Sequence, residues 1–291
     1  WEASFTREVD MTNDSIFFQK SSGKNRIPII EGRHVSQFRY RSKSYVSGGG
    51  RSAIRHTVDR RKATFLIPQW WIEQTDLREN TKLGVQLSRI GFCDISGQTN
   101  ERTLLASRIP ENNVCGNKVP TIQFLDNCRD REDLFLALAN SFVVDWMLRR
   151  QVTTTINFFI LESLVFPNLD LRHDLAQKII RLARKASCAE GNEKVGHWSL
   201  GVIRAQIDSL VATAYGLDLD DLNRIFLDFP LLDRGQPALD AEQSSITSDL
   251  VKLEFSKLQK IDTSNYGARV ARARRIGAIP YLPADYAQGD E

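Results

Sequence analysis

The chain has 291 residues, 42% of them hydrophobic and 26% charged, with 39 Lys+Arg against 36 Asp+Glu for a net charge of +3. That length makes one large domain or two ordinary ones, and the composition is globular, which excludes a low-complexity or collagen-like chain. The most apolar stretch, Asn157 to Phe166, is interrupted by Glu162 and is half the length of a bilayer-crossing helix, so no membrane partner is expected.

Taken in chain order, residues 1–128 read as strands and loops. Ile27 to Ile30 is a short β-branched run, closed by a Glu31-Gly32 turn. Ser47-Gly48-Gly49-Gly50-Arg51 is a flexible loop without the spacing of a nucleotide-binding P-loop. Ala63 to Ile67 is apolar, and Trp70 and Trp71 follow as neighbours that cannot both face inward on one strand. Partial alternation predicts strands within Leu83 to Ile95, over Thr103 to Ile109 and over Val119 to Phe124.

From about residue 130 the period becomes helical. Leu134, Leu138, Phe142 and Met147 mark one face, Asn157 to Phe166 is a buried apolar segment, and Asp170 to Cys188 and Ser199 to Tyr215 are amphipathic. Trp146 and Tyr215 fall at core spacing. Gly216 sits where a left-handed C-cap belongs, and Asp218 starts another helix with an acidic first turn. One more helix carries Leu250, Leu253 and Leu258, and Arg269, Arg272, Arg274 and Arg275 form the cationic end of a terminal one. The tail from Pro280 is turn-rich and expected to hang free. The predicted class is α+β, with a β-rich region over 1–128 and a mainly helical region over 129–291.

The charge is unevenly spread. Between Lys20 and Lys62 lie twelve Lys/Arg and only two acids, Glu31 and Asp59, a surplus of ten that leaves the rest of the chain seven negative. With Gln37, Phe38, Tyr40 and Tyr45 interleaved, this stretch is a candidate phosphate- and base-contacting segment, and a merely solvated loop is the competing reading. Arg33, Gln37, Arg39, Arg41 and Lys43 are spaced to suit an extended loop lying in a groove, with Arg51 and Arg55 beyond them. Chemistry for catalysis is missing. The sequence has no GxSxG, HExxH, GxGxxG or EF-hand pattern, no adjacent prolines and no glycine-rich strand–turn for a methyl-donor nucleoside. Glu193 with Lys194, or Glu254 with Lys257, hints only faintly at a carboxylate–lysine nuclease core. Cys93, Cys115, Cys128 and Cys188 are scattered and His34, His56, His173 and His197 form no ligand pair, so no metal is expected. Scattered thiols predict a reducing, cytoplasmic setting. Trp1-Glu2-Ala3-Ser4 lacks the features of a signal peptide, and the start without Met suggests a piece of a longer protein.

Four stretches in order carry a resemblance. They are Pro28-Ile-Ile-Glu-Gly-Arg-His-Val-Ser-Gln-Phe38 with Arg39-Tyr40-Arg41; Arg89-Ile-Gly-Phe-Cys-Asp-Ile-Ser96 with Thr99-Asn-Glu-Arg-Thr-Leu-Leu-Ala106 and Ile109-Pro110; Leu138-Ala-Asn-Ser-Phe-Val-Val-Asp-Trp146 with Arg150, Ile156-Asn-Phe-Phe-Ile-Leu161 and Pro167; and Leu210-Val-Ala-Thr-Ala-Tyr-Gly-Leu-Asp218 with Asp221-Leu222. Over residues 28 to 228 the chain resembles the target-recognition (specificity) region of adenine-N6 DNA methyltransferases, Type IIG restriction–modification enzymes and phage-defence methylases included. It departs from the pattern at Cys93, where many members carry Arg. The resemblance implies double-stranded DNA as partner. It also implies an N-terminal methyltransferase domain outside this chain, holding S-adenosylmethionine, so the chain itself carries no catalytic residue and no cofactor. It adds Arg102 as a candidate near the DNA backbone, beside a purely structural reading in which Asn100, Glu101 and Arg102 lock a turn. The alternative function is a protein-interaction or scaffold module of a phage-defence complex.

Overall fold

A computed structural model describes residues 1–49, 53–57, 67–190, 192, 194–237 and 245–282. Arg51, Arg60, Arg61, Lys62, most of the Ala63 to Ile67 run, Glu193 and the tail after 282 lie outside the described residues. The architecture is α+β, strands first and helices second.

Among the described residues, three sheets make up the first part. One is antiparallel, in the order β1 (Ala3–Thr6), β10 (Thr121–Phe124), β7 (Arg89–Phe92), β8 (Ala106–Ile109). A second has the order β2 (Phe18–Gln19), β6 (Trp71–Glu73), β3 (Arg26–Ile30), β9 (Val114–Cys115), the last pair parallel. The third is a two-stranded ribbon, β4 (Lys43–Ser47) against β5 (Ile54–Thr57), with a register shift between Tyr45 and Ser47. The alternation read from Leu83 to Ile95 is split, because Glu79–Gly84 forms a short helix, α1, and only Arg89–Phe92 pairs as a strand.

The two larger sheets are joined by a buried ion pair. Glu8 takes Arg89 at both carboxylate oxygens, at 2.5 and 2.6 Å, and also accepts from the Cys115 amide at 2.7 Å. A carboxylate this deep is tolerable only with its lone pairs filled.

The helical part begins with α2 (Arg129–Ala139) and α3 (Phe142–Arg149). The single face read from Leu134 to Met147 is broken at Asn140, where Ser141 caps α3 by accepting from the Val144 amide at 3.2 Å. Asn157 to Phe166 is not a buried segment. Only α4 (Phe158–Glu162) is helical there, and Phe159 and Val165 face solvent. α5 (Asp174–Ala189), α6 (His197–Ala214), α7 (Leu219–Leu227), α8 (Ile246–Gln259) and α9 (Ser264–Arg275) follow. α6 lies between α5 and α8, and α9 packs on α8. Gly216 takes φ +69 at the end of α6, a conformation that costs glycine least, and Asp218 opens α7 with a reciprocal capping box.

One apolar core runs through both parts. Ile90, Phe92, Ile122 and Phe124 of the first sheet share it with Leu134, Phe142, Ile207 and Val251 of the helices. Trp146 and Tyr215 pack against it half-buried. The second sheet keeps a smaller core of its own around Ile29, Ile72 and Val114. The chain does not hang free from Pro280: Pro280, Tyr281 and Leu282 are buried against α6. No helix among the described residues is long and apolar enough to cross a membrane.

Candidate nucleic-acid interface

Residues 31–43 do not form the extended loop that their spacing predicts. They fold as a compact turn: a 3-10 turn over Gly32–His34, then an antiparallel bridge between Ser36 and Arg39, with Phe38 at φ +61 between them. Glu31 and His34 cap this turn reciprocally, His34 Nδ1 accepting from the Glu31 amide at 3.0 Å. Burial, with the nearby Arg55 charge, pushes the His34 imidazole down to about 3, so it stands neutral as that acceptor.

The turn faces a cleft of about 800 Å³ between the strands and the helices. From the strand side it is lined by Arg33, Gln37, Arg39, Lys43, Arg55 and Arg102; from the helical side come Glu190, Arg204, Arg234 and Tyr281. The cleft therefore collects six of the eight DNA-contact candidates. Arg41 is outside its lining, with its guanidinium over the Tyr40 ring at 5.4 Å. Arg51 is outside the described residues.

The six candidates divide by depth. Arg33 is exposed and Lys43 half-buried, at the end of the ribbon. Gln37, Arg39 and Arg102 are buried. Arg55 is half-buried, its side chain 5% exposed and committed to Glu31 at 2.6 Å and to Gln69 at 2.9 Å. Arg102 gives Nε to Asp145 at 2.8 Å and Nη2 to the Asn140 carbonyl at 2.8 Å, with its guanidinium 4.0 Å above the Phe142 ring. Gln37 donates to the same Asn140 carbonyl at 2.9 Å. The Asn140 amide completes the network, accepting from the Ala106 N–H at 3.1 Å and donating to the Ala106 carbonyl at 2.9 Å. Gln37, Arg102, Ala106, Asn140 and Asp145 come from three separate stretches of the resemblance, and all meet here. Gln37, Arg102, Asn140 and Asp145 are thus spent on fixing the cleft wall, whereas Arg33 is exposed at its rim.

Arg204 and Glu190, which pair on the helical wall, were missed by sequence reasoning. The available signal was the two charged residues, Arg204 and Asp208, inside the mostly apolar run Leu200 to Leu210. Asp208 is buried, accepts from the Phe142 amide and the Tyr281 hydroxyl at 2.7 Å each, and is pushed up to about 6 by burial against the pull of Arg102 and Arg204. Trp70 and Trp71 are both half-buried, Trp70 tilted against Phe18 with ring centroids 6.2 Å apart. Of the carboxylate–lysine pairs, Glu254 and Lys257 form a one-turn helical ion pair at 2.6 Å, and Glu193 is outside the described residues. Cys93, Cys115, Cys128 and Cys188 are unbonded to one another, and no group of three metal-ligating side chains occurs among the described residues. Compared with protein-family models and with curated proteins, the chain matches none.

Proposed function

We propose that the chain is a sequence-recognition module for duplex DNA, serving an adenine-N6 methyltransferase domain outside it. The observation that carries this reading is the form of the basic stretch. Its described part from Lys43 onward is a separate two-stranded ribbon, β4–β5, at the rim of a cation-lined cleft. A major groove about 12 Å wide admits a two-stranded ribbon as well as it admits a helix. Val46, Ser47, Gly48, Gly49 and Ile54 of the ribbon are exposed, as the docking face of such an element must be. Arg33, Arg41 and Lys43, near its base, support phosphate contacts on this reading. The methyl donor S-adenosylmethionine belongs to the outside domain on this reading. The glycine-rich strand–turn that would hold it is absent from this sequence, so no step of methyl transfer is assigned to these residues.

Charge reversal at Arg33, Arg41 and Lys43 together tests the proposal. Duplex affinity in a gel shift should fall at least about tenfold, and a urea midpoint measured in parallel separates lost contact from lost fold. Unchanged affinity would remove the ribbon and its base as the contact surface. It would favour instead the scaffold reading, in which the basic stretch is only solvated.

A further inference from the structure

The β4–β5 ribbon has little of its own to hold it in one direction. Two strands without a third, and without an apolar face to bury, are marginal in water. No described side chain of β4 or β5 joins any of the three apolar cores. Val46 and Ile54 instead face solvent. Its attachments to the second sheet and the 31–43 turn are polar. On the β4 side, the Tyr45 amide donates to the Ile67 carbonyl and the Ser42 amide to the His34 carbonyl, both at 2.9 Å.

On the β5 side the attachment is made by Arg55. Its Nη2 reaches Glu31 Oε2 at 2.6 Å and Gln69 Oε1 at 2.9 Å, and its Nη1 donates to the Ala53 carbonyl at 3.3 Å. Glu31 follows β3 and Gln69 precedes β6, and these two strands are paired in the second sheet. One guanidinium therefore ties the ribbon to two points of that sheet. Both points are firm, because Glu31 is capped reciprocally with His34 and Gln69 is buried. With its side chain 5% exposed, Arg55 has little surface left to offer a phosphate.

We propose that Arg55 is a positioning residue: through Glu31 and Gln69 it sets the angle at which the ribbon leaves the second sheet, and with it the fit of the ribbon to duplex DNA. The proposal rests on the duplex reading above and gives Arg55 a role in it other than phosphate contact. A guanidinium suits that role, because it meets acceptors in a fixed planar geometry that a lysine ammonium lacks. The two roles predict opposite signs at Glu31. If Arg55 took a phosphate, Glu31 would compete for it, and Glu31→Gln would tighten duplex binding. If Arg55 holds the ribbon, the same variant weakens binding although it removes a negative charge.

Fluorescence anisotropy with a labelled duplex, beside amide hydrogen exchange of the DNA-free protein, tests this on the full chain. Glu31→Gln should weaken duplex affinity at least about threefold, as a charged hydrogen bond becomes a neutral one. Arg55→Lys should weaken it at least about threefold too, since it keeps the charge and loses the fork. The double variant should fall within about twofold of the weaker single variant, because both changes cut one attachment. Without DNA, Glu31→Gln should speed exchange over Lys43–Ser47 and Ile54–Thr57 at least about threefold and leave α6 unchanged. Unchanged or tighter binding in Glu31→Gln overturns the proposal, as does Arg55→Lys binding like the parent. Unchanged exchange in the ribbon overturns it as well, with no DNA involved. If the parent chain binds no duplex, the recognition reading falls and the fit to DNA with it, while exchange still decides whether Arg55 anchors the ribbon. Glu31→Gln carries the test even where Arg55→Lys does not fold.

Discussion

Arg102 and Asp145, 43 positions apart in the chain, form a buried ion pair at 2.8 Å that ties the loop before β8 to α3. Asp145 is fully buried, and it also accepts from the Thr103 amide at 2.9 Å, the Leu104 amide at 3.4 Å and Arg149 Nε at 3.1 Å. Removing the carboxylate leaves two buried guanidinium groups facing each other. Asp145→Ala should therefore cost about 3–5 kcal/mol, with Asp145→Asn milder because its oxygen still accepts. Urea unfolding followed by circular dichroism checks this, and a loss below about 1 kcal/mol for the alanine variant would show that the pair is dispensable.

The segment after α9 is held down at a glycine. A side-chain carbon at Gly201 would stand 2.5 Å from Pro280 Cγ and 3.3 Å from the Pro280 carbonyl oxygen. Gly201→Ala should cost about 1–3 kcal/mol by forcing this segment off α6. Pro280→Ala in the same chain removes the ring atom and should recover part of the loss, a coupling read from a double-mutant cycle. Additive losses would place the strain elsewhere.

Two buried groups titrate in one window with opposite sign. His34, pushed down to about 3, gives stability that is present above its ordinary 6.5 and is lost as pH falls. Asp208, pushed up to about 6, gives stability present below its ordinary 3.8 and lost as pH rises through 6. Each contributes a slope of up to about 1.4 kcal/mol per pH unit between pH 4 and 6, so they offset each other in the parent chain. Asp208→Asn should make the loss of stability on acidification steeper, and His34→Asn should make it shallower. Unfolding curves at half-unit steps of pH read both. Variants whose stability runs parallel to the parent from pH 4 to 6 would refute this assignment.

The sequence carried the fold class and the placement of the long helices because their apolar periods and caps are local signals. Gly216 and Asp218 mark their helix boundaries as read. Where tertiary context decides, the reading went astray. Phe159 and Val165 are apolar yet exposed, Pro280 to Leu282 are buried by a contact with α6, and Arg33 to Lys43 fold back through a positive φ at Phe38. Charge counting found the basic stretch. It could not say that Arg102 and Gln37 are spent on the Asn140 carbonyl while Arg33 stays exposed. Arg204 looked like one more helical arginine, because Glu190 and Gln37 reach it only through the fold.

The central claim, that the rim and ribbon take the phosphate backbone of duplex DNA, is tested most directly by the salt dependence of binding. Fluorescence anisotropy of a labelled mixed-sequence duplex gives the affinity over a salt series. Contacts from Arg33, Arg41 and Lys43 predict that log affinity falls with log salt at a slope of about −3 or steeper, at about −0.9 per phosphate neutralised. Binding that does not change with salt, or no binding at the lowest salt, would contradict the account.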